Sequence, residues 1–220
     1  MRLGVLVSGR GSNLEAVLRA VADGRLPRVE PCVVISNRAG VRALDVAARY
    51  GVATLVLKST SYTSAAERDA AIGSALTDCG ADLALLAGYD QLLRPAYFAA
   101  FGGRTVNVHP SLLPRHGGRG MIGLAVHRAV LAAGDVETGV TIHHVTDQLD
   151  GGPPLAQARL LVAPGESAEQ LAERVLELEH GLLVRVLARL SAEPGKPYPS
   201  VSMAAAPPPH AGTRTTDERR

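Results

Sequence analysis

Five short apolar runs alternate with stretches of helical spacing, and this constrains the fold of the chain more than any other feature. The runs are Leu3 to Val7, Val29 to Ile35, Ala53 to Leu57, Leu83 to Leu86 and Thr105 to Val108. Between them, Leu14, Val17, Leu18 and Val21 recur at helical intervals, and Arg42 to Tyr50 and Thr63 to Leu76 read as helices, the latter capped by Thr63 or Ser64. Strands joined through helices pair in parallel, and right-handed crossovers cover both faces of the sheet. The pattern predicts an α/β fold, a mostly parallel twisted sheet with helices on both faces, resembling a mononucleotide-binding half.

Beyond Val108 the pattern changes. A Pro- and Gly-rich loop runs from Pro110 to Met121, a length that in compact domains signals function or motion. A helix from Leu124 to Ala133 follows, then two strand-like runs, Gly139 to Val145 and Leu155 to Val162, whose polar interruptions suit a partly antiparallel extension. Ser167 to Leu190 is the longest amphipathic helix, with Ser167 as cap and Leu171, Val175, Leu178, Leu182 and Val186 on its apolar stripe. With 220 residues, 46% of them hydrophobic, the chain can bury one good-sized core. From Glu193 aliphatics thin out and six of the 14 prolines gather, so residues 1–192 are expected to form the domain and 193–220 a disordered tail.

Chemistry is suggested at two places. The first strand runs into Ser8-Gly9-Arg10-Gly11-Ser12-Asn13 and then a helix. N–H groups at a helix start, with the dipole behind them, attract anions, and glycine lets a phosphate come close, so Gly11, Ser12 and Asn13 form a candidate cradle. The plainer reading is a tight βα turn with Ser12 or Asn13 as N-cap, and both readings can hold together. Leu14 stands where the third glycine of a dinucleotide fingerprint belongs, and Ser36-Asn37-Arg38 where a ribose-binding acid is expected, which disfavours a dinucleotide cofactor.

The second place is Asn107 to Asp150. Strand side chains alternate, so Asn107 and His109 should share one side, and Pro110 then ends the ladder. Asp150 precedes Gly151 and Gly152, whose backbone freedom allows close approach to a ligand. A carboxylate near an imidazole favours its charged form, which can donate to an oxygen gaining charge as an amine attacks a carbonyl carbon. An Asn N–H is a second, uncharged donor. Amide, imidazole and carboxylate thus make an acyl-transfer site that needs no protein nucleophile.

Rival chemistries fit less well. No G-x-S-x-G supports a hydrolase serine. His143 and His144 are strand neighbours facing opposite ways, and with no H-E-x-x-H and no Cys pair no metal site is expected. His116, His127, His180 and His210 show no partner pattern, and by pattern alone Glu179 and His180 belong to a solvated helix face. A net charge of +2 and a pI near 8.7, without a basic stripe, do not indicate nucleic-acid binding. Cys32 and Cys79 read as reduced thiols, and neither a signal peptide nor an 18-residue apolar stretch is present, so a soluble cytoplasmic protein is expected, with no membrane contact, as monomer or homodimer.

The segments SGRGSNL, ISNR, LLAGYDQLLRP, NVHPSLLP, HHVTDQLDGGP and ERVLELEH occur in the order and spacing of the phosphoribosylglycinamide formyltransferase family, which the chain resembles over roughly residues 1 to 190. The resemblance implies a Rossmann-like formyltransferase fold and transfer of a formyl group from 10-formyltetrahydrofolate, as co-substrate, to the amine of glycinamide ribonucleotide. It makes Asn107, His109 and Asp150 the catalytic trio, with Asp150 keeping His109 charged and organising water. Gly11, Ser12 and Asn13 would hold the phosphate and Glu179 the ribose. Asp90, Gln91, Leu92, Leu93, Asn107, Val145, Thr146 and Asp147 would line the reduced folate. Departures concern folate: many members carry Met-Arg where Asp90-Gln91 stands, a folate-binding Arg appears as Ala65, and the HGGRGM loop is longer than the Tyr-Pro-Gly form. Arg68 and Arg119 are the candidates to replace the missing cations. Two alternatives remain. One is another folate-dependent formyltransferase or a 10-formyltetrahydrofolate hydrolase, whose tRNA and hydrolase branches would need extra domains. The other is a nucleotide-binding module without turnover.

Overall fold

The computed structural model describes residues 1–192 and 201–206. Eight strands form one sheet in the order β3-β2-β1-β4-β5-β6-β7-β8. β1 (Arg2–Val7), β2 (Glu30–Ser36), β3 (Thr54–Val56), β4 (Leu83–Leu86) and β5 (Arg104–His109) pair in parallel. β6 (Glu137–His144) and β7 (Pro154–Leu161) then add an antiparallel extension, as the polar interruptions predicted.

The helices separate by face. Leu3, Val5 and Val7 point into one core with α1 (Ser12–Ala22), α2 (Arg42–Arg49), α5 (Leu124–Ala132) and α6 (Ala168–Ala192), while Leu6 and Leu86 point into a second with α3 (Ala65–Asp78) and α4 (Pro95–Ala100). This two-sided burial is why the parallel strands read as unbroken apolar runs. Gly4 is the gap in the second face: a Cβ there would collide with the Leu76 side chain, so α3 lies flat on β1 only because residue 4 has none.

Several expectations are corrected. Ser12 and Asn13 do not cap α1; Gly11 occupies that position at φ 75°, and no side chain satisfies the first-turn N–H groups. α4 was not foreseen, because six residues give too little periodicity, although Pro95 at its start is a recognised helix-opening signal. Val201–Ala206 forms β8, parallel to β7, inside the stretch expected to be disordered. The outer edge of β7 offers unpaired N–H and C=O groups that a short extended segment can join, which composition does not register. The rest of that stretch, 193–200 and 207–220, lies outside the described residues. Ser167 does cap α6, and Gln170 returns the bond to the Ser167 N–H at 2.8 Å. Cys32 and Cys79 are free thiols with their sulfurs 2.7 Å apart. No helix among the described residues is long and apolar enough to cross a membrane.

Candidate active site

Strand order reverses between β1 and β4, and in open α/β sheets ligands bind beyond the carboxyl ends of strands at that crevice. A cavity of about 1050 Å³ opens there. Drug-sized ligand sites span about 300–1,000 Å³, so this one has room for two substrates side by side.

One end of the cavity is the β1–α1 turn. Gly11, Ser12 and Asn13 line it, with the first N–H groups of α1 uncapped. Gly11 is required twice over, by its left-handed backbone and by α2, since a Cβ would lie 2.7 Å from the Ala43 Cβ and 2.8 Å from its Cα. Asn13 donates through Nδ2 to Glu179 Oε2 at 2.6 Å, tying α1 to α6. Glu179 is only 8% exposed, which overturns the solvated-face reading. Burial raises its carboxyl to about 7, against the lowering effect of the Asn13 bond.

The middle of the cavity is built on β5 and β6. Antiparallel register sets Asn107 opposite His143 and His109 opposite Thr141. Facing residues share one side of the sheet, so the amide and both imidazoles gather on one face, while Val106 and Val108 point into the core on the other. Asn107 Nδ2 lies 3.1 Å from His143 Nε2, and His143 Nδ1 lies 2.9 Å from the His144 carbonyl. A carbonyl can only accept, so the His143 proton is on Nδ1 and its Nε2 accepts from Asn107. Burial, the largest influence, lowers the His143 pKa, which keeps the ring in this neutral form.

Asp150, at φ 52°, stands between the two rings. Its Oδ2 is 3.7 Å from His109 Nδ1 and its Oδ1 is 3.7 Å from His143 Nε2, beyond hydrogen-bond length but within strong electrostatic reach at this burial. The carboxylate is held by the Gly118 N–H at 2.8 Å. Gly152 permits a close approach here: a Cβ would strike the His144 carbonyl, so this glycine serves contact between chain segments rather than approach to a ligand.

The far end is more apolar. Leu92, Leu93, Val145 and Thr146 line it together with Asp90, Gln91 and Asn107. The Asp90 carboxylate accepts from Ser8 Oγ at 3.0 Å and Asn37 Nδ2 at 2.8 Å and pairs with Arg38. Gln91 accepts from Arg68 at 2.6 Å. Arg68 is 2% exposed and paired with Asp69, so its charge is spent inside the fold and the expectation that it replaces a folate-binding cation is corrected. Arg119 is exposed and lines the cavity.

The structure thus brings Asn107, His109, Asp150, the Gly11 to Asn13 turn and Glu179 into one cavity. Asp147 is the exception among the expected residues. It is exposed and outside the lining, at the apex of a turn in which the Gln148 N–H meets Thr146 Oγ1 at 3.3 Å and turns residue 147 outward. Sequence reasoning missed His143, which only the β5–β6 register places beside Asn107, and His127, a buried ring in the cavity wall whose Nδ1 has no partner. Among the described residues no group of three or more His, Cys, Asp or Glu could hold a metal ion.

The family described as formyl transferase matches residues 1–187. The phosphoribosylglycinamide formyltransferase of Escherichia coli (strain K12) is 36% identical over 187 residues, 85% of this chain and 85% of that protein. A trifunctional purine biosynthetic protein adenosine-3 of Drosophila melanogaster is 35% identical over 190 residues, 86% of this chain but 14% of that protein. Among solved structures, glycinamide ribonucleotide transformylase 1 from Symbiobacterium toebii matches with a TM-score of 0.81 at 38% identity, over 87% of this chain and 88% of that one.

Proposed function

The chain belongs to the formyl transferase family, and from that premise we propose that it transfers the formyl group of 10-formyltetrahydrofolate to the amine of glycinamide ribonucleotide in purine biosynthesis. In this reading the ribonucleotide phosphate sits on the N–H groups of Gly11 to Asn13 and its ribose meets Glu179. The folate lies along Asp90 to Leu93, Val145 and Thr146.

The amine nitrogen attacks the formyl carbon, and the carbonyl oxygen takes up the displaced electron pair. Asn107 has two amide hydrogens; one serves His143 and the other serves this oxygen. His109 supplies the second donor through an Nδ1–H, which at 3.7 Å from Asp150 is not spent in a hydrogen bond to that carboxylate. A proton then passes from the attacking nitrogen to N10 of the folate, by way of water held at Asp150, and the carbon–N10 bond breaks. The products are formylated amine and tetrahydrofolate.

The observation that carries this reading is the convergence of three polar side chains, 43 positions apart at the extremes, in the cavity whose other end is the uncapped glycine turn. Purified protein given both substrates should release deformylated folate in proportion to formylated ribonucleotide. No release, or release that is independent of the ribonucleotide, overturns the assignment and in the second case favours a hydrolase.

A further inference from the structure

Among the described residues only two that are not glycine have positive φ, His116 at 53° and Asp150 at 52°. Both contact the ring of His109. Asp150 faces Nδ1 at 3.7 Å, and the main-chain carbonyl of His116 meets Nε2 at 2.9 Å. Left-handed backbone at such residues is strained and persists only where the surroundings enforce it.

The surroundings of His116 do enforce it. Its Nε2 lies 2.6 Å from Asp135 Oδ2, and the side chain of Asp135, 6% exposed, also pairs with Arg115. Below, Ser111 Oγ donates to the Arg115 carbonyl at 2.6 Å, Thr141 Oγ1 donates to the Ser111 carbonyl at 2.7 Å, and Gln157 donates to the Leu113 carbonyl at 3.0 Å. The loop is therefore fastened before residue 116 by these bonds and after it by the Gly118 N–H on Asp150, and the His116 carbonyl is not free to swing away from His109.

We propose that His116 and Asp135 are positioning residues for His109: Asp135 fixes the His116 side chain, and the strained His116 carbonyl thereby holds the His109 Nε2 proton and presents Nδ1 to Asp150. A carbonyl cannot donate, so the bond requires a proton on Nε2. The carboxylate of Asp150 alone would draw the single proton of a neutral ring to Nδ1, the opposite tautomer. With Nε2 committed, the proton gained on charging must land on Nδ1, the atom facing Asp150. The inference rests on the formyl-transfer reading for the use made of His109, but the tautomer can be measured without it.

The test combines kinetics with nitrogen NMR of His109 across a pH titration that reaches the neutral ring. In the parent, Nε2 should carry the proton and Nδ1 should be bare. Asp135→Ala and His116→Phe should move the two nitrogen shifts toward a common average and lower kcat about 10- to 100-fold, with both KM values within about twofold, since small misplacements of a reacting group cost rates of this order. His116→Gln, whose amide can still reach Asp135, should recover most of kcat. Folded variants that change only the rate or only the tautomer overturn the proposal, as does a parent protonated on Nδ1. If the two variants do not fold, the parent's tautomer decides. A parent that transfers no formyl group defeats the functional reading instead, and the tautomer alone then decides whether the His116 carbonyl sets the His109 ring.

Discussion

In the proposed reaction Asn107, His109 and Asp150 would act on charge that appears only while the acyl bond is being exchanged, so groups fixed in advance would lower the barrier without tightening the ground state. Removing one such donor typically costs about 10²–10³ in kcat. Asn107→Ala should lose that much and also leave His143 Nε2 without its donor. His109→Ala should lose at least as much, and Asp150→Ala should too, since it also frees the Gly118 N–H from its acceptor. Steady-state rates within tenfold of the parent for any of the three contradict the role given to that residue. Asp147→Ala supplies the contrast at the same scale: with its side chain outside the cavity, the KM for the folate should stay within about twofold of the parent, and a larger rise would put Asp147 back in the folate site.

The β1–α1 turn shows what an element adds to its residues. Gly11→Ala would force an alanine into left-handed backbone and against Ala43, at a cost of roughly 2–4 kcal/mol in unfolding free energy, and would tilt the first N–H groups of α1 away from an anion. Denaturant titration should show the loss, and the KM for the ribonucleotide should rise at least tenfold; a folded variant with parental KM would show that the turn does not bind the phosphate. This element was legible in advance because a strand, a glycine turn and a helix are encoded in consecutive residues. Asn107 and His109 were legible as a pair for the same reason, strand alternation being local. His143 was not, because its place depends on which residue of β5 it faces, a register set by tertiary pairing. The burial of Glu179 escaped for a related reason: helical spacing marks a stripe, but the cover over residue 179 comes from α1, 166 positions away. Arg68 misled because Asp69, although next to it in sequence, neutralises it only through the burial of both side chains, which adjacency does not reveal.

At the scale of the molecule, the Asn13 to Glu179 bond joins α1 to α6 and closes the cavity at its glycine-turn end. That closure keeps a carboxyl in the interior, and its protonation should govern how stability changes with pH. The folded chain holds the Glu179 proton until about pH 7, whereas the unfolded chain releases it near the ordinary value of 4.5. Below 4.5 both states are protonated and the group has no effect. As pH rises from there, the unfolded state ionises first, so stability falls, and above about 7 the loss is complete at about 3 kcal/mol. Glu179→Gln removes the titration while keeping an acceptor for Asn13. Relative to the parent, its unfolding free energy from urea titrations should therefore rise by about 2–3 kcal/mol between pH 5 and pH 8. A difference that stays constant over this interval would mean that the α1–α6 closure does not hold the carboxyl in its neutral form, and the glycine-turn end of the cavity would then be more open to water than the packing of these two helices implies.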